Sequence, residues 1–210
     1  MFASRQEAAA LLAARLAPKV VGSDTVVLAL PGGGVEVGRR IASELGLPFD
    51  IMVVVPITLP SAGRVPLGAM TGGGVRMLNF ELIDRLHLSD AELRLAIVHH
   101  AVRVNRRERH YRNGRESIAL ADRPVILVDD GASRCEAVRQ AIRLLHRLHV
   151  DRIIVATPAA CHHAACDLSL EVDEFITLAE TGETVPTSSC FRYFPRTSAA
   201  RIRRLMCAAD

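Results

Sequence analysis

One strand-like segment followed by acidic residues constrains the fold of this chain more than any other feature. Within residues 125–137, four consecutive apolar residues lead into Asp129, Asp130 and Gly131, and a helix-like segment begins at about Arg134. A short apolar run bounded by turn residues is typical of a strand that is buried on both faces of a parallel sheet. Ligands bind beyond the carboxyl ends of such strands, so the acidic residues are candidate ligand-binding residues.

Strand-like and helix-like segments alternate along the whole chain. Apolar runs predict strands at 25–30, 51–55, 125–128, 153–156 and 175–178. Helices are predicted at 4–16, 35–45, 89–112, 135–148 and 160–168, and the first and third begin with the spacing of a capping box. The Pro- and Gly-rich segment 59–74 is predicted to be an irregular loop with a short hairpin. This alternation predicts an α/β fold with a parallel sheet.

Composition restricts the class of protein further. The chain has 210 residues, half of them apolar, which is enough for one well-packed domain. No apolar run approaches the roughly 20 residues of a membrane span, so a cytoplasmic location is expected and no membrane partner. Five irregularly spaced cysteines favour reduced thiols over a disulfide framework. Because Lys19 is the only lysine, phosphate-binding cations elsewhere must be arginines.

The segment around Asp129 resembles the phosphoribosyl-diphosphate (PRPP) motif of type I phosphoribosyltransferases, in which four apolar residues, two acids and a glycine precede a Thr- and Gly-rich loop. Other landmarks of the family occur in the same order along this chain. Residues 30–35 resemble its Leu-Pro-Arg-Gly-Gly-Val turn, residues 67–69 resemble its Gly-Ala loop, and residues 88–90 resemble the Leu-Ser-Asp start of a helix. The resemblance covers most of the chain. It implies one Rossmann-like domain over 1–210, with helices on both faces of a core at about 18–180 and a small hood formed by 181–210 and the N-terminal helix.

The resemblance also implies a ligand site. In the family, the turn after the first strand engages pyrophosphate, and the loop after the acids cradles the ribose 5′-phosphate. Adjacent aspartates can hold sugar hydroxyls or a hydrated Mg²⁺, without direct strong metal ligation. The implied ligand is PRPP with Mg²⁺, and a homodimer is expected, with the long helix as one candidate surface. The candidate ligand-binding residues are Pro31, Gly32, Gly33, Gly34, Arg64, Asp129, Asp130, Gly131, Ala132, Ser133, Arg134 and Cys135.

Several positions depart from the family pattern. Arg134 and Cys135 replace a Thr and a Gly of the phosphate loop, and Gly32 stands where the first turn has arginine. Residues 55–56 are Val-Pro where the family has Arg-Lys. Fixed cations stabilise the charge that develops on pyrophosphate, and removal of each donor typically costs a few kcal/mol. We therefore predict a member with impaired catalysis that binds a phosphorylated ligand or acts as a regulatory module.

Two other functions stay open at this stage. An active Mg²⁺-dependent transferase that uses PRPP and a nucleobase-like acceptor would need Arg64 or Arg134 to replace the missing cations. A basic surface could bind RNA or DNA through the arginines within 103–115 and at 192, 196, 201, 203 and 204, although the modest net charge of +3 favours a solvated helix face. A dinucleotide-binding turn at 31–34 is disfavoured because its glycine spacing is wrong.

Three smaller features have a structural and a functional interpretation each. Cys161, His162, His163 and Cys166 could ligate zinc, but consecutive histidines point apart, and the resemblance implies that Cys166 is a buried residue. Cys135 could be a reactive thiol at a helix start or a small filler. Phe191 and Tyr193 could stack on a base or anchor the C-terminal tail.

Overall fold

A five-stranded parallel sheet with the strand order β2-β1-β6-β7-β8 forms the centre of the protein. The computed structural model describes residues 1–63, 65–131, 136–183 and 185–207. In that part of the chain the strands are β1 (Val26–Ala29), β2 (Phe49–Ile51), β3 (Val55–Thr58), β4 (Pro66–Met70), β5 (Arg76–Leu78), β6 (Pro124–Val128), β7 (Arg152–Cys161) and β8 (Glu174–Thr181). The helices are α1 (Arg5–Leu16), α2 (Gly33–Leu45), α3 (Phe80–Arg85), α4 (Asp90–Arg112), α5 (Glu136–Arg147), α6 (His162–Ser169) and α7 (Ala199–Cys207).

Helices cover both faces of this sheet, as the sequence predicts. On β6, Ile126 and Val128 belong to a core cluster shared with α1, α2 and α4. Their neighbours Val125 and Leu127 belong to a second cluster shared with α5. Successive side chains of a strand point to opposite faces, so an unbroken apolar run is required at this central position.

The strand register brings two loops to one edge of the sheet. Strands β1 and β6 pair in parallel, with Ala29 opposite Val128. The turn that leads from β1 into α2 and the acidic pair that follows β6 therefore lie side by side. This edge is the position at which open α/β sheets bind ligands.

The predicted strand at 51–55 is wrong in one respect, because the structure divides it between two sheets. Strand β2 ends at Ile51, and β3 begins at Val55 in a separate antiparallel sheet with the order β3-β4-β5. The segment 59–74, which the sequence predicts to be irregular, contains strand β4 and is regular over that stretch. The predicted hairpin is present as the antiparallel pair of β4 and β5. Gly68 permits the close pairing of β4 and β5, since a Cβ there would lie 2.1 Å from the carbonyl oxygen of Met77.

Local signals set the ends of the long helix α4. The Ser89 hydroxyl accepts from the Glu92 backbone N–H, and the Glu92 carboxylate accepts from the Ser89 N–H, which completes the predicted capping box. Asn113 ends the helix in the left-handed conformation. Among the described helices, none combines the length and hydrophobicity needed to cross a membrane.

A buried ionic cluster holds the end of α4 against β2. The Arg112 guanidinium donates to Asp50 Oδ1 at 3.0 Å and to Glu108 Oε2 at 2.8 Å. Glu108 also accepts from the Gly72 backbone N–H at 3.1 Å. Desolvation opposes the charged form of Arg112, but hydrogen bonds and the charges of Asp50 and Glu108 outweigh it and raise the pKa of Arg112. We interpret this cluster as structural, because Arg112 pairs with both carboxylates and backbone N–H groups of Gly72 and Ile118 also donate to them.

Candidate functional site

The two aspartates after β6 have different surroundings. Asp130 Oδ2 accepts from Arg5 Nε at 2.8 Å and lies 2.7 Å from Arg5 Nη2. Only 5% of the Arg5 side chain is exposed, against 20% for Asp130. Asp129 Oδ2 accepts at 3.4 Å from the backbone N–H of Gly131. Asp130 is thus neutralised by a buried cation, whereas the hydrogen bonds to Asp129 from the described residues come from the backbone.

Burial and repulsion both act on Asp129. Loss of hydration raises the pKa of its carboxyl, the charge of Asp130 raises it further, and the value reaches about 6. The backbone N–H groups of Gly131 and Asp130, together with the more distant charge of Arg5, oppose the shift. A carboxyl whose pKa is raised by burial and by a neighbouring charge is a candidate functional group.

Glycines make room for this arrangement. A Cβ on Gly33 would lie 1.9 Å from Asp130 Oδ2 and 2.2 Å from Arg5 Nε, so the ion pair fills the space that a side chain would need. Gly34 packs against the β6 end, where a Cβ would lie 3.0 Å from the Val128 carbonyl oxygen. Gly32 has φ +123°, a conformation that side chains rarely adopt. An arginine at position 32, where the resemblance expects it, would therefore strain the turn.

Arg5 also connects the acidic pair with the C-terminal segment. Its Nη1 donates to the Pro195 carbonyl oxygen at 2.7 Å, and its guanidinium lies 3.7 Å from the centre of the Phe194 ring. Phe194 packs on Phe191, which packs in turn on Phe2, with ring-centre separations of 4.7 Å and 5.4 Å. This C-terminal segment, residues 191–198, is called the tail below, and these contacts hold it above the carboxyl edge of the sheet.

A cleft of about 810 Å³ opens between the first turn, the acidic pair and this tail. Its walls are Arg5, Pro31, Gly32, Gly33, Arg107, Tyr111, Asp130, Phe194, Pro195, Arg196, Thr197, Ser198, Ala199 and Ile202. The volume lies within the range that is typical of small-molecule sites. The walls combine apolar surface with cations, hydroxyls and one carboxylate, which suits an anionic ligand that carries hydroxyl groups.

Two exposed arginines supply the free positive charge of the cleft. Arg107 projects from α4 and Arg196 from the tail, and both line the cavity. Among the described residues, neither has a hydrogen bond or an ion pair. The hydroxyl of Thr197 is engaged, since it donates to Glu36 at 3.3 Å. Arg107 and Arg196 are thus available to contact phosphate oxygens, for which the guanidinium fork is well suited.

The structure brings together only part of the predicted site. Pro31, Gly32, Gly33 and Asp130 line the cleft. Asp129 and Gly34 lie behind this wall, and a Cβ on Gly131 would lie 2.3 Å from Thr187 Oγ1. The predicted residues Arg64, Ala132, Ser133, Arg134 and Cys135 lie outside the described residues.

The ligand site predicted from the sequence does not include the three arginines of the cleft, and Arg107 and Arg196 were assigned only to possible nucleic-acid binding. Arg5 has a signal that could have revealed it, because it occupies the same helical face as the buried Ala9, Leu12 and Leu16. A charged residue on an apolar stripe must have a buried partner. Arg107 and Arg196 carry no such signal, since each stands among other arginines.

The basic stretch at the end of α4 does not form one uniform surface. Arg112 is buried in the ionic cluster, and Arg115 donates to the Met206 carbonyl oxygen. Arg103, Arg106 and Arg107 are exposed. The stretch is therefore divided between fold stabilisation, the cleft and solvent.

The aromatic and sulfur-containing residues also differ from some expectations. Phe191 is buried against other rings, which supports an anchoring role for it, whereas Tyr193 is 66% exposed.

Cys161 is buried, but Cys166 is exposed, so the expectation of a buried Cys166 is wrong. Residue 161 ends β7 and residue 166 lies on the outer face of α6.

Comparisons with known proteins identify relatives over most of the chain. A family model described as a phosphoribosyl transferase domain matches residues 4–169. A Mycobacterium tuberculosis protein provisionally named a phosphoribosyl transferase is 30% identical over 198 residues, which are 94% of this chain and 44% of that protein. The chain therefore spans less than half the length of this curated relative.

Solved structures agree with the fold. A Thermus thermophilus protein, TT1426, superposes with a TM-score of 0.84 at 27% identity and covers 98% of this chain and 97% of its own. A purine phosphoribosyltransferase from Pyrococcus horikoshii superposes with a TM-score of 0.50 at 16% identity, covering 91% and 90% of the two chains. The second similarity is one of fold alone.

Proposed function

The chain belongs to the phosphoribosyl transferase domain family, and we propose that its cleft binds a phosphorylated ligand of the PRPP or nucleotide class without efficient phosphoribosyl transfer. The observation that carries this proposal is the pair of free arginines, Arg107 and Arg196, in the wall of a cleft that also contains Asp130. Phosphate groups would contact the arginines, and hydroxyl groups of a sugar would face Asp130.

The charge balance of the cleft supports an anionic ligand. Arg5 cancels the charge of Asp130, so Asp130 repels a phosphate less than a free carboxylate would. Arg107 and Arg196 then give the walls a positive surplus. Long-range attraction of this kind accelerates and strengthens the binding of anions, and salt weakens it.

The same contacts argue against efficient transfer. Arg5 occupies Asp130 Oδ2 with two N–H groups, which leaves that carboxylate less able to hold ribose hydroxyls. Gly32 brings no cation to the first turn, and its backbone conformation favours glycine. Among the described residues, the cations left to stabilise the charge that develops on a leaving pyrophosphate are the arginines of α4 and the tail.

Hydrated Mg²⁺ is the cofactor proposed with PRPP. Two adjacent carboxylates suit a hydrated divalent cation, which would favour the ionised form of Asp129, whose pKa is raised by burial and by the charge of Asp130. Arg5 competes for Asp130 Oδ2, so we propose that Mg²⁺ is carried mainly by the ligand's phosphates. No other cofactor is proposed.

A homodimer and a cytoplasmic location complete the proposal. Helix α4 exposes Leu95, Val98 and Val102 at helical spacing, with exposed fractions of 71%, 60% and 64%. In an antiparallel pair of α4 helices, these apolar residues would meet at the two-fold axis.

A thermal-shift panel tests the ligand class. Pyrophosphate, ribose 5-phosphate and PRPP with Mg²⁺ are expected to raise the melting temperature, since ligand at 100 times its Kd adds about 2.7 kcal/mol. The Arg107→Ala and Arg196→Ala variants should each reduce the shift, whereas Arg106→Ala, an exposed neighbour outside the cleft wall, should not. Equal shifts in all three variants would exclude the proposed phosphate contacts.

Two measurements separate the alternatives. Release of pyrophosphate from PRPP with a panel of nucleobases would establish the active transferase and reject impaired catalysis. A salt-sensitive mobility shift of RNA, abolished in Arg103→Ala but unaffected by PRPP, would favour the RNA-binding alternative, because phosphate contacts depend steeply on salt.

A further inference from the structure

A cysteine, a histidine and a glutamate form a hydrogen-bonded chain away from the cleft. His162 Nδ1 lies 2.6 Å from Glu180 Oε2, and Cys166 Sγ lies 3.7 Å from His162 Nε2. His162 and Cys166 are one helical turn apart on α6, and Glu180 lies near the end of β8. A nucleophile beside a base that a third group orients is the usual arrangement of an activated thiol.

The contacts define the proton positions in this chain. Because Glu180 accepts a hydrogen bond, His162 Nδ1 must carry a proton, and in the neutral ring Nε2 then has the free lone pair. This nitrogen is the one that contacts the Cys166 sulfur, at 3.7 Å. The thiol can therefore transfer its proton to His162, and the imidazolium formed is stabilised by Glu180.

Solvent access combined with the histidine contact distinguishes Cys166 from the other described cysteines. Cys166 is exposed, with His162 and Glu180 exposed to 71% and 51%, whereas Cys161 is buried. Cys207 is also exposed, but it has no histidine contact among the described residues. Within that part of the chain, no group of three acidic, histidine or cysteine residues has a geometry that could hold a metal ion.

We propose that Cys166 is a reversible modification site that exchanges with low-molecular-weight disulfides, with His162 as its base and Glu180 as the positioning residue. His162 Nε2 takes the thiol proton, and the Cys166 sulfur attacks one sulfur of the disulfide. The disulfide bond breaks as a mixed disulfide with Cys166 forms. The departing thiolate takes the proton from His162, so the exchange involves no net oxidation and an excess of thiol reverses it.

Alkylation kinetics test the activation of Cys166. The reduced protein is treated with limiting iodoacetamide at pH 7, and the labelled peptides are quantified by mass spectrometry. An ordinary thiol is only a few per cent thiolate at this pH, so full proton transfer would accelerate the reaction by up to about 30-fold. We expect Cys166 to react about tenfold faster than Cys207.

Matched variants identify the base. His162→Ala should slow labelling of Cys166 by about tenfold, and imidazole added to the buffer should restore part of the rate. His163→Ala is the control, because His163 is equally exposed but lies near Asp167, 3.7 Å away. Glu180→Gln retains an acceptor for His162 and should have an intermediate effect, whereas Glu180→Ala should have a larger one.

Disulfide exchange is then measured directly. Incubation with oxidised glutathione as the probe should give a mixed disulfide on Cys166 before any other cysteine, and dithiothreitol should remove it. Equal labelling of Cys166 and Cys207 would overturn the proposal, as would equal rates in the His162→Ala and His163→Ala variants. Circular dichroism of each variant verifies its fold, and Glu180→Gln provides an independent test if His162→Ala is misfolded.

Discussion

Replacing the two adjacent aspartates by asparagine is expected to change stability in opposite directions. Asp129→Asn removes a carboxylate whose ionisation is opposed by burial and by Asp130, while the new amide oxygen can still accept from Gly131. Asp130→Asn removes the charge that pairs with Arg5, a cation with only 5% of its side chain exposed. The two substitutions are chemically identical and one residue apart, so each is the control for the other.

The size of the stability gain expected from Asp129→Asn follows from the pKa of Asp129. A rise from 3.8 to about 6 means that ionised Asp129 costs the folded state about 3 kcal/mol at most, at about 1.36 kcal/mol for each unit. The asparagine retains part of the cost of burying a polar group. We therefore expect a gain of about 1–2 kcal/mol at pH 7, which raises the melting temperature by roughly 2–8 °C for a chain of this size.

The destabilisation by Asp130→Asn has a similar size. A hydrogen bond to a charged group contributes about 1.5–3 kcal/mol, and breaking a buried ion pair costs up to about 5 kcal/mol. Arg5 retains Pro195 and Phe194 as partners, and removal of Asp130's charge also relieves Asp129. We expect a net decrease in stability of about 2–3 kcal/mol, or a melting temperature lower by roughly 4–12 °C.

The pH dependence provides the sharper test. A raised acidic pKa means that the folded state binds the Asp129 proton more tightly, so the contribution of Asp129 to the stability of the wild type falls as pH rises from about 4 to about 6. Differential scanning calorimetry should show the advantage of Asp129→Asn at pH 7 and little of it near pH 4. A destabilising effect of Asp129→Asn at pH 7, equal to that of Asp130→Asn, would refute this reasoning.

Two further substitutions test the packing and the assembly. Gly72→Ala should lower stability by about 1–3 kcal/mol in denaturant unfolding, since the new Cβ would lie 1.8 Å from Glu108 Oε2 in the buried cluster. Gly182→Ala is its control, because the nearest atom is then 3.8 Å away, and equal destabilisation by the two substitutions would contradict the argument. Val98→Glu should convert a dimer into a monomer in light scattering, whereas Leu170→Glu, at a position 87% exposed elsewhere, should not. A wild-type monomer at high concentration would reject the α4 interface.

Elements defined by local signals were predicted well from the sequence. The capping box at Ser89 and the left-handed Asn113 define the ends of α4, and both depend only on residues within one turn. The apolar run before Asp129 predicts a central strand for a similarly local reason. The strand at 51–55 failed because pairing partners, rather than apolar residues, decide where one sheet ends and the next begins.

The candidate site was predicted only in part, because its cations come from distant segments. Arg5 and Asp130 are 125 positions apart, and nothing local to either residue reveals the other. Arg107 and Arg196 reach the cleft through the placement of α4 and of the tail. The glycines lie between β1 and α2, and the acids lie between β6 and α5, so the local strand–turn–helix pattern reveals both sets. The positions of the cations depend on the complete tertiary structure.

Calorimetric titration with PRPP and Mg²⁺ tests the central claim most directly. The wild type should bind in one site per chain. The Arg107→Ala/Arg196→Ala double variant should bind about 100-fold more weakly, since we expect each arginine to contribute about 1.4 kcal/mol to phosphate binding. Arg106→Ala should bind like the wild type. Absence of binding at millimolar PRPP, or equal affinity in the double variant, would contradict the assignment of this cleft to a phosphorylated ligand.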